Sequence, residues 1–220
     1  MLRVNAQRVH QLVRGGSLPA SRIGGRWAIE EEDLQALAAS ARLSGRPYSS
    51  RVAWAALFLL SGTDPEWIDR SEKARLRRSL AALDLPGLAF RTRARGMPHR
   101  LHAHPAALPR MLRDQTLVRT GVSAEVQGLD LRSRDSATFY VPIRELRAVV
   151  RRYGLVDSGD SNITLRAVDG PWPFAAGGRD APPAAVMVDL LDDSDQRSLR
   201  AARSLYRRVV KPRSLAELHA

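Results

Sequence analysis

Apolar residues recur along this chain with two periods, one helical and one strand-like. Val9, Leu12 and Val13 follow the i, i+3, i+4 spacing of an amphipathic helix, with Asn5 placed to cap it. The opposite face carries Gln7, His10, Gln11 and Arg14, with Arg8 on the flank. Gly15-Gly16 ends the helix with residues that tolerate positive φ, and Leu18-Pro19 anchors a short connector. Residues 22–29 then predict two short strands around Gly24-Gly25, a two-residue hairpin signal. In that hairpin Ile23, Trp27 and Ile29 are expected inward, and Arg22 and Arg26 outward. Glu30, Glu31 and Glu32 fall in the first turn of a following helix, where negative charge complements the dipole. Leu34, Leu37, Ala38 and Ala41 supply its apolar face.

Ser44-Gly45-Arg46-Pro47 has the composition of a linker. Residues 50–60 are apolar nearly all round, which predicts a buried helix. Asp64-Pro65-Glu66 predicts the start of another, with Asp at the cap and Pro in the first turn. That helix runs towards Leu83 and carries Arg75, Arg77 and Arg78. Arg91, Arg93 and Arg95 alternate, so they share one face if the segment is a strand. Gly96 and Pro98 mark a turn, and residues 100–104 return. Two readings fit this stretch: a second winged-helix-like unit with a basic ribbon, or an edge strand protected by charge.

The last third alternates strand and helix. Residues 138–141 and 162–168 read as strands. Residues 142–153 read as a helix, with Ile143, Leu146, Val149 and Val150 inward and Arg144, Arg147 and Arg151 outward. A Pro/Gly-rich loop over 170–183 contains Trp172-Pro173-Phe174, and an apolar segment follows at 184–191. Residues 195–210 are amphipathic, with Leu199, Ala202, Leu205, Tyr206 and Val209 against Arg197, Arg200, Arg203 and Arg207. The fold class is α+β. Three units are expected: a winged helix-turn-helix with a truncated first helix at 1–46, a helical and hairpin unit at 47–115, and an α+β domain at 116–220.

Composition adds a charge of +12 carried almost wholly by arginine, Lys73 and Lys211 being the only lysines. Such a field attracts polyanions. A GC-rich genome accounts for arginine over lysine, but not for the excess of Arg over Asp and Glu. The absence of cysteine excludes disulfides and thiolate metal sites. The apolar fraction of 44% is enough for a core. The longest apolar run, 52–60, is too short to span a membrane, and no signal-peptide core is present, so the cytoplasm is expected.

Candidate chemistry is sparse. His102 and His104 would share one side of a strand near His99, but no carboxylate completes a ligand set beside them. Asp189, Asp192, Asp193 and Asp195 cluster in sequence, and the simpler reading is a loop whose last Asp or Ser caps the next helix. No P-loop, dinucleotide glycine signature, Ser-His-Asp motif or zinc-protease motif occurs. No catalytic residue, metal or cofactor is expected, and the chain is not expected to be an enzyme.

The N-terminal segment resembles the excisionase-type, MerR-like winged helix-turn-helix. The matching residues are Arg8-Val9, Leu12, Gly16, Leu18-Pro19-Ala20, Arg22, Gly25-Arg26-Trp27, Ile29 and Asp33-Leu34. The resemblance implies that residues 6–14 form the recognition helix and that Gly24-Gly25 is the wing tip. Gln and Arg are the side chains that read adenine and guanine edges, and a wing Arg meets phosphate. The candidate DNA-binding residues are therefore Gln7, Arg8, His10, Gln11, Arg14, Arg22 and Arg26, with Arg91, Arg93 and Arg95 on the basic ribbon. Such modules begin with a further helix, which the start at Met1 truncates. The face of Val9, Leu12 and Val13 is therefore expected to be covered by Leu34, Leu37 and Ala38, helped by the helix over 52–60. The last hundred residues resemble the C-terminal part of AbiEi-type antitoxins, on Thr164 to Val168, Trp172-Pro173, Val188-Asp189-Leu190 and Arg197-Ser198. That resemblance implies autoregulation of an operon encoding a nucleotidyltransferase-like toxin. The expected partners are double-stranded DNA, such a toxin and a second copy of the chain, with no membrane. An excisionase-like recombination factor, or an enzyme with an appended DNA-binding module, are the alternatives.

Overall fold

The computed structural model describes residues 9, 13, 21–23, 26–29, 46–127, 133, 135–193 and 195–209. The chain divides into two units, Met1–Arg46 and Pro47–Ala220. In the first, Val9 and Val13 are helical and half-buried, four positions apart as one helix face requires. Strands β1 (Ser21–Ile23) and β2 (Arg26–Ala28) pair antiparallel. The hairpin expected from the glycine pair is present. Leu12 and the segment from Leu34 to Ala41, which were expected to complete the packing, lie outside the described residues.

The second unit is built on a four-stranded sheet in the order β3-β6-β5-β4, comprising β3 (Met97–Leu101), β4 (Val118–Thr120), β5 (Ala137–Pro142) and β6 (Ile163–Val168). The central pair β5 and β6 is parallel, and both outer pairings are antiparallel. A parallel pair needs a crossover, which α5 (Leu146–Tyr153) supplies between β5 and β6. Both central strands are buried on both faces, and Arg166 is the one charged side chain they carry into the interior.

Helices cover the two faces of the sheet. On one, Phe139, Val141, Ile163 and Leu165 pack with α4 (Leu108–Arg113) and α5 through Leu108, Met111 and Val149. On the other, Tyr140 and Val168 meet α1 (Ser50–Ser61) and α6 (Pro183–Leu190). Every residue of α6 from Ala184 to Leu190 is buried. The long helix α7 (Gln196–Val209) joins that core through Ala201, Ala202 and Leu205. Leu76 and Leu80 of α2 (Arg70–Ala81) and Leu88 of α3 (Leu85–Arg91) join it as well. Trp54 of α1 stands edge-on to Tyr140 at 4.9 Å and to Phe174 at 4.8 Å, tying α1, the sheet and the loop after β6 together.

Four expectations are corrected here. Asp64-Pro65-Glu66 does not open a helix. Instead Ile68 is buried, and Trp67 Nε1 donates to the Arg51 carbonyl while Arg51 Nη2 donates back to the Trp67 carbonyl. The helix starts later, at Arg70, where Asp69 and Glu72 form a capping box. Second, the stretch with alternating arginines is not a strand. Asp84 accepts from the Gly87 backbone N–H and starts α3, and Arg93–Arg95 form a 3-10 turn. The local cap and the burial of Leu88 decide the conformation, so the basic ribbon of a second winged helix does not form. Third, 47–115 and 116–220 are not separate domains, because β3 pairs with β6 along its whole length. Ile143, expected inward, is 43% exposed in the turn before α5.

Candidate nucleic-acid interface

Of the candidate contacts, Gln7, Arg8, His10, Gln11 and Arg14 lie outside the described residues. Arg22 and Arg26 lie on the hairpin. Its register pairs Arg22 with Trp27 and Ile23 with Arg26. Cross-strand partners occupy the same face. The two arginine positions therefore fall on opposite faces of the ribbon, and so do Ile23 and Trp27. Trp27 is 37% exposed.

The remaining candidates separate in space. Arg93 is exposed, its guanidinium 4.9 Å from the centre of the Phe90 ring. Arg91 is half-buried, 4.5 Å over the Tyr48 ring. Arg95 is only 2% exposed and cannot reach a phosphate. Its Nε donates to Asp189 Oδ1 at 2.7 Å, and its Nη2 donates to Asp192 Oδ2 and to the Val188 carbonyl. Arg166 of β6 joins the same cluster, with Nε 3.0 Å from Asp189 Oδ1 and Nη2 donating to Asp192 Oδ2. The Thr120 hydroxyl donates to Asp189 Oδ2. Two arginines and two aspartates thus neutralise one another between the sheet and α6. Burial alone would lower the Arg95 pKa, but Asp189 and Asp192 raise it above the ordinary arginine range. Asp192, at the solvent-facing rim, is held below the usual carboxylate range because Arg95 and Arg166 outweigh its partial desolvation. Burial and the neighbouring Asp189 carboxylate push the Tyr140 hydroxyl well above the usual phenol range.

The four aspartates read together from the sequence therefore have different roles. Asp189 is inside the ion cluster. Asp192 closes it from the rim. Asp195 Oδ1 accepts from the backbone N–H groups of Arg197 and Ser198 and caps α7 as expected. Asp193 remains, facing a cavity of about 340 Å³ lined by Arg100, Thr138, Thr164, Asp192 and Asp195 as well. Its Oδ2 is buried with no hydrogen-bond partner among the described residues. Burial, reinforced by Asp189, Asp195 and Asp192 against the pull of Arg166, pushes its carboxyl up to about 6. Among the described residues the cavity shows neither a nucleophile hydrogen-bonded to a base nor three ligands arranged for a metal. His102 Nδ1 instead contacts the Asp160 carbonyl at 2.7 Å, and His104 Nδ1 accepts from the Ala106 N–H.

A raised carboxyl has a defined consequence for stability. The folded chain holds the Asp193 proton up to about pH 6, whereas the unfolded chain releases it near 3.8. Its contribution is therefore present at the low end of that window and is lost as pH rises through it. Asp193→Asn should remove this slope and raise the thermal midpoint at pH 7 by a few degrees. An unchanged midpoint and an unchanged pH profile between 4 and 6.5 would show that Asp193 is not held in this environment.

The exposed charge is elsewhere. Arg147 and Arg151 of α5, and Arg200, Arg203, Arg207 and Arg208 of α7, are exposed and make no ion pair among the described residues. A family model described as a helix-turn-helix domain matches residues 1–42. No curated protein and no solved structure matches the chain. The N-terminal segment is a helix-turn-helix module. Its class supports DNA binding, and the half-buried helical Val9 and Val13 and the β1–β2 hairpin sit within the matched residues. Among the described residues no helix is long and apolar enough to cross a membrane.

The sequence had no signal for the Arg95–Asp189–Arg166–Asp192 cluster as a unit. The one available clue was Asp189 itself, a carboxylate inside an otherwise apolar helix, which requires a buried cation as partner.

Proposed function

We propose that this chain is a sequence-specific DNA-binding transcriptional regulator in which the N-terminal module reads the operator. The observation that carries this reading is the helix-turn-helix match over residues 1–42. The net charge of +12 supports it, because duplex DNA is the polyanion such a module binds. The finer reading is an antitoxin-like autorepressor, paired with a nucleotidyltransferase-like toxin and acting as a homodimer. Its support is the size of the second unit, which gives a small reader a large folded surface for a partner. An excisionase-like architectural factor needs little beyond the reader, and the second unit argues against it.

The test begins with selection of preferred duplexes from a random pool by the whole protein. Gln7→Ala and Gln11→Ala should each cost about 1–3 kcal/mol on the selected site and flatten the preference. Arg26→Ala should weaken selected and unselected duplexes about equally, as loss of a phosphate contact does. If both Gln substitutions leave the preference intact, base reading by this helix is excluded. The antitoxin role is tested by growth. Co-expression should relieve arrest by a toxin-like protein encoded in the adjacent reading frame, and failure to do so removes that finer reading.

A further inference from the structure

Helix α7 carries Arg197, Arg200, Arg203, Arg207 and Arg208 in 14 residues and has no acidic residue. Arg200, Arg203 and Arg207 follow the i, i+3, i+7 spacing and so form one stripe, about 10 Å long at the rise of an α-helix. All three are exposed, as is Arg208. Arg200 Nε and Arg207 Nε donate back to the carbonyls of Gln196 and Arg203, and Arg208 Nη1 donates to the Gln127 carbonyl. None of the four meets a carboxylate among the described residues.

Like charges at these spacings repel and destabilise a helix. The helix dipole favours Arg207 and Arg208 in the last turn, but it does nothing for Arg200 and Arg203 in the middle. Helix α2 of the same unit also exposes Arg75, Arg77 and Arg78 without an ion pair among the described residues, but it mixes both signs of charge. Its Glu72 pairs with Arg51, and its Lys73 pairs with Asp64. The uncompensated stripe on α7 is a local conflict of the kind that marks a functional surface.

The chemistry of the face selects its partner. The fully buried apolar residues of α7, Ala202 and Leu205, are committed to the core with Ala201. A helix that lies in a membrane needs its apolar face outward, and a protein interface needs apolar anchors at its centre. The arginine stripe has neither. Guanidinium groups on a rigid helix suit a run of phosphates. We propose that the solvent face of α7 is a second DNA contact, gripping the phosphate backbone without reading sequence. This inference rests on the DNA-binding reading above.

The test uses the full chain and a random-sequence duplex spanning several helical turns. Arg200→Gln, Arg203→Gln, Arg207→Gln and Arg208→Gln combined should reduce the log–log salt slope of binding by about 3–4, at roughly 0.9 per phosphate contact. The corresponding four Lys substitutions should keep the slope, since lysine also neutralises phosphate. Thermal melting of the Gln variant at or above the parent temperature is expected, because it removes like-charge repulsion. Preference for the selected operator over random duplex should survive in the Gln variant, which separates grip by α7 from reading by the N-terminal module. If the parent binds duplex and the Gln variant keeps the full slope, this proposal is overturned while the reader stands. Loss of binding to phosphatidylserine vesicles with duplex binding intact overturns it in favour of a membrane surface. If the parent shows no salt-dependent duplex binding at all, both this proposal and the functional reading fail.

Discussion

Asp189→Asn is expected to destabilise the second unit by about 3–5 kcal/mol, the cost of leaving buried cations without their counter-ion. For a unit of this size that is a fall in thermal midpoint of about 10 °C, measurable by calorimetry or circular dichroism. Asp189 is 1% exposed, and its Oδ1 faces both Arg95 Nε and Arg166 Nε. An amide keeps the shape and loses the charge, so two guanidinium groups stay buried with only Asp192 to answer them. Asp192→Asn should cost much less, because that side chain is 43% exposed and water can enter as the pair weakens. Equal effects from the two substitutions would mean that the cluster is solvated throughout, and no effect from Asp189→Asn would remove it as the tie between the sheet and α6.

Trp54→Ala is the second large effect, again about 3–5 kcal/mol, measured by urea titration. Trp54 is 2% exposed and packs edge-on with Tyr140, Phe174 and Phe58. Its removal opens a cavity where α1, the sheet and the 170–183 loop meet, and a close-packed sheet offers little room for collapse. Trp54→Phe should be far milder, since the indole N–H has no hydrogen-bond partner among the described residues to lose. A Phe variant as unstable as the Ala variant would show that contacts specific to the indole, and not the filling of this space, control the site.

Much of the local structure was legible in the residue order. The burial of α1, the strands β5 and β6, the amphipathic α7 and its Asp195 cap follow from period and capping chemistry alone. The N-terminal module was legible from its Gly-Gly hairpin and polar helix face, and the family match covers the same segment. Where the reading failed, competing signals were local and the deciding one was distant. Asp64-Pro65-Glu66 has the letters of a helix start, but Trp67 and Ile68 are claimed by contacts to α1 and the core, so the start moves to Asp69. The alternation of Arg91, Arg93 and Arg95 has strand period, but Asp84 had already capped a helix and Leu88 was needed in the core.

The sequence by itself determined which segments are apolar on one side or on all sides, where helices are capped, and that the chain carries a strong excess of arginine. Those are properties of neighbours, and they act at separations of one to four residues. Only the tertiary structure decided which arginines remain available for a ligand. Arg95 and Asp189 are 94 positions apart, and nothing in either neighbourhood announces the other. An arginine buried against a carboxylate and an arginine offered to solvent are the same letter. Their difference lies in which chain segment folds over them, and that is set by the packing of α6 on the sheet and of α7 on α6.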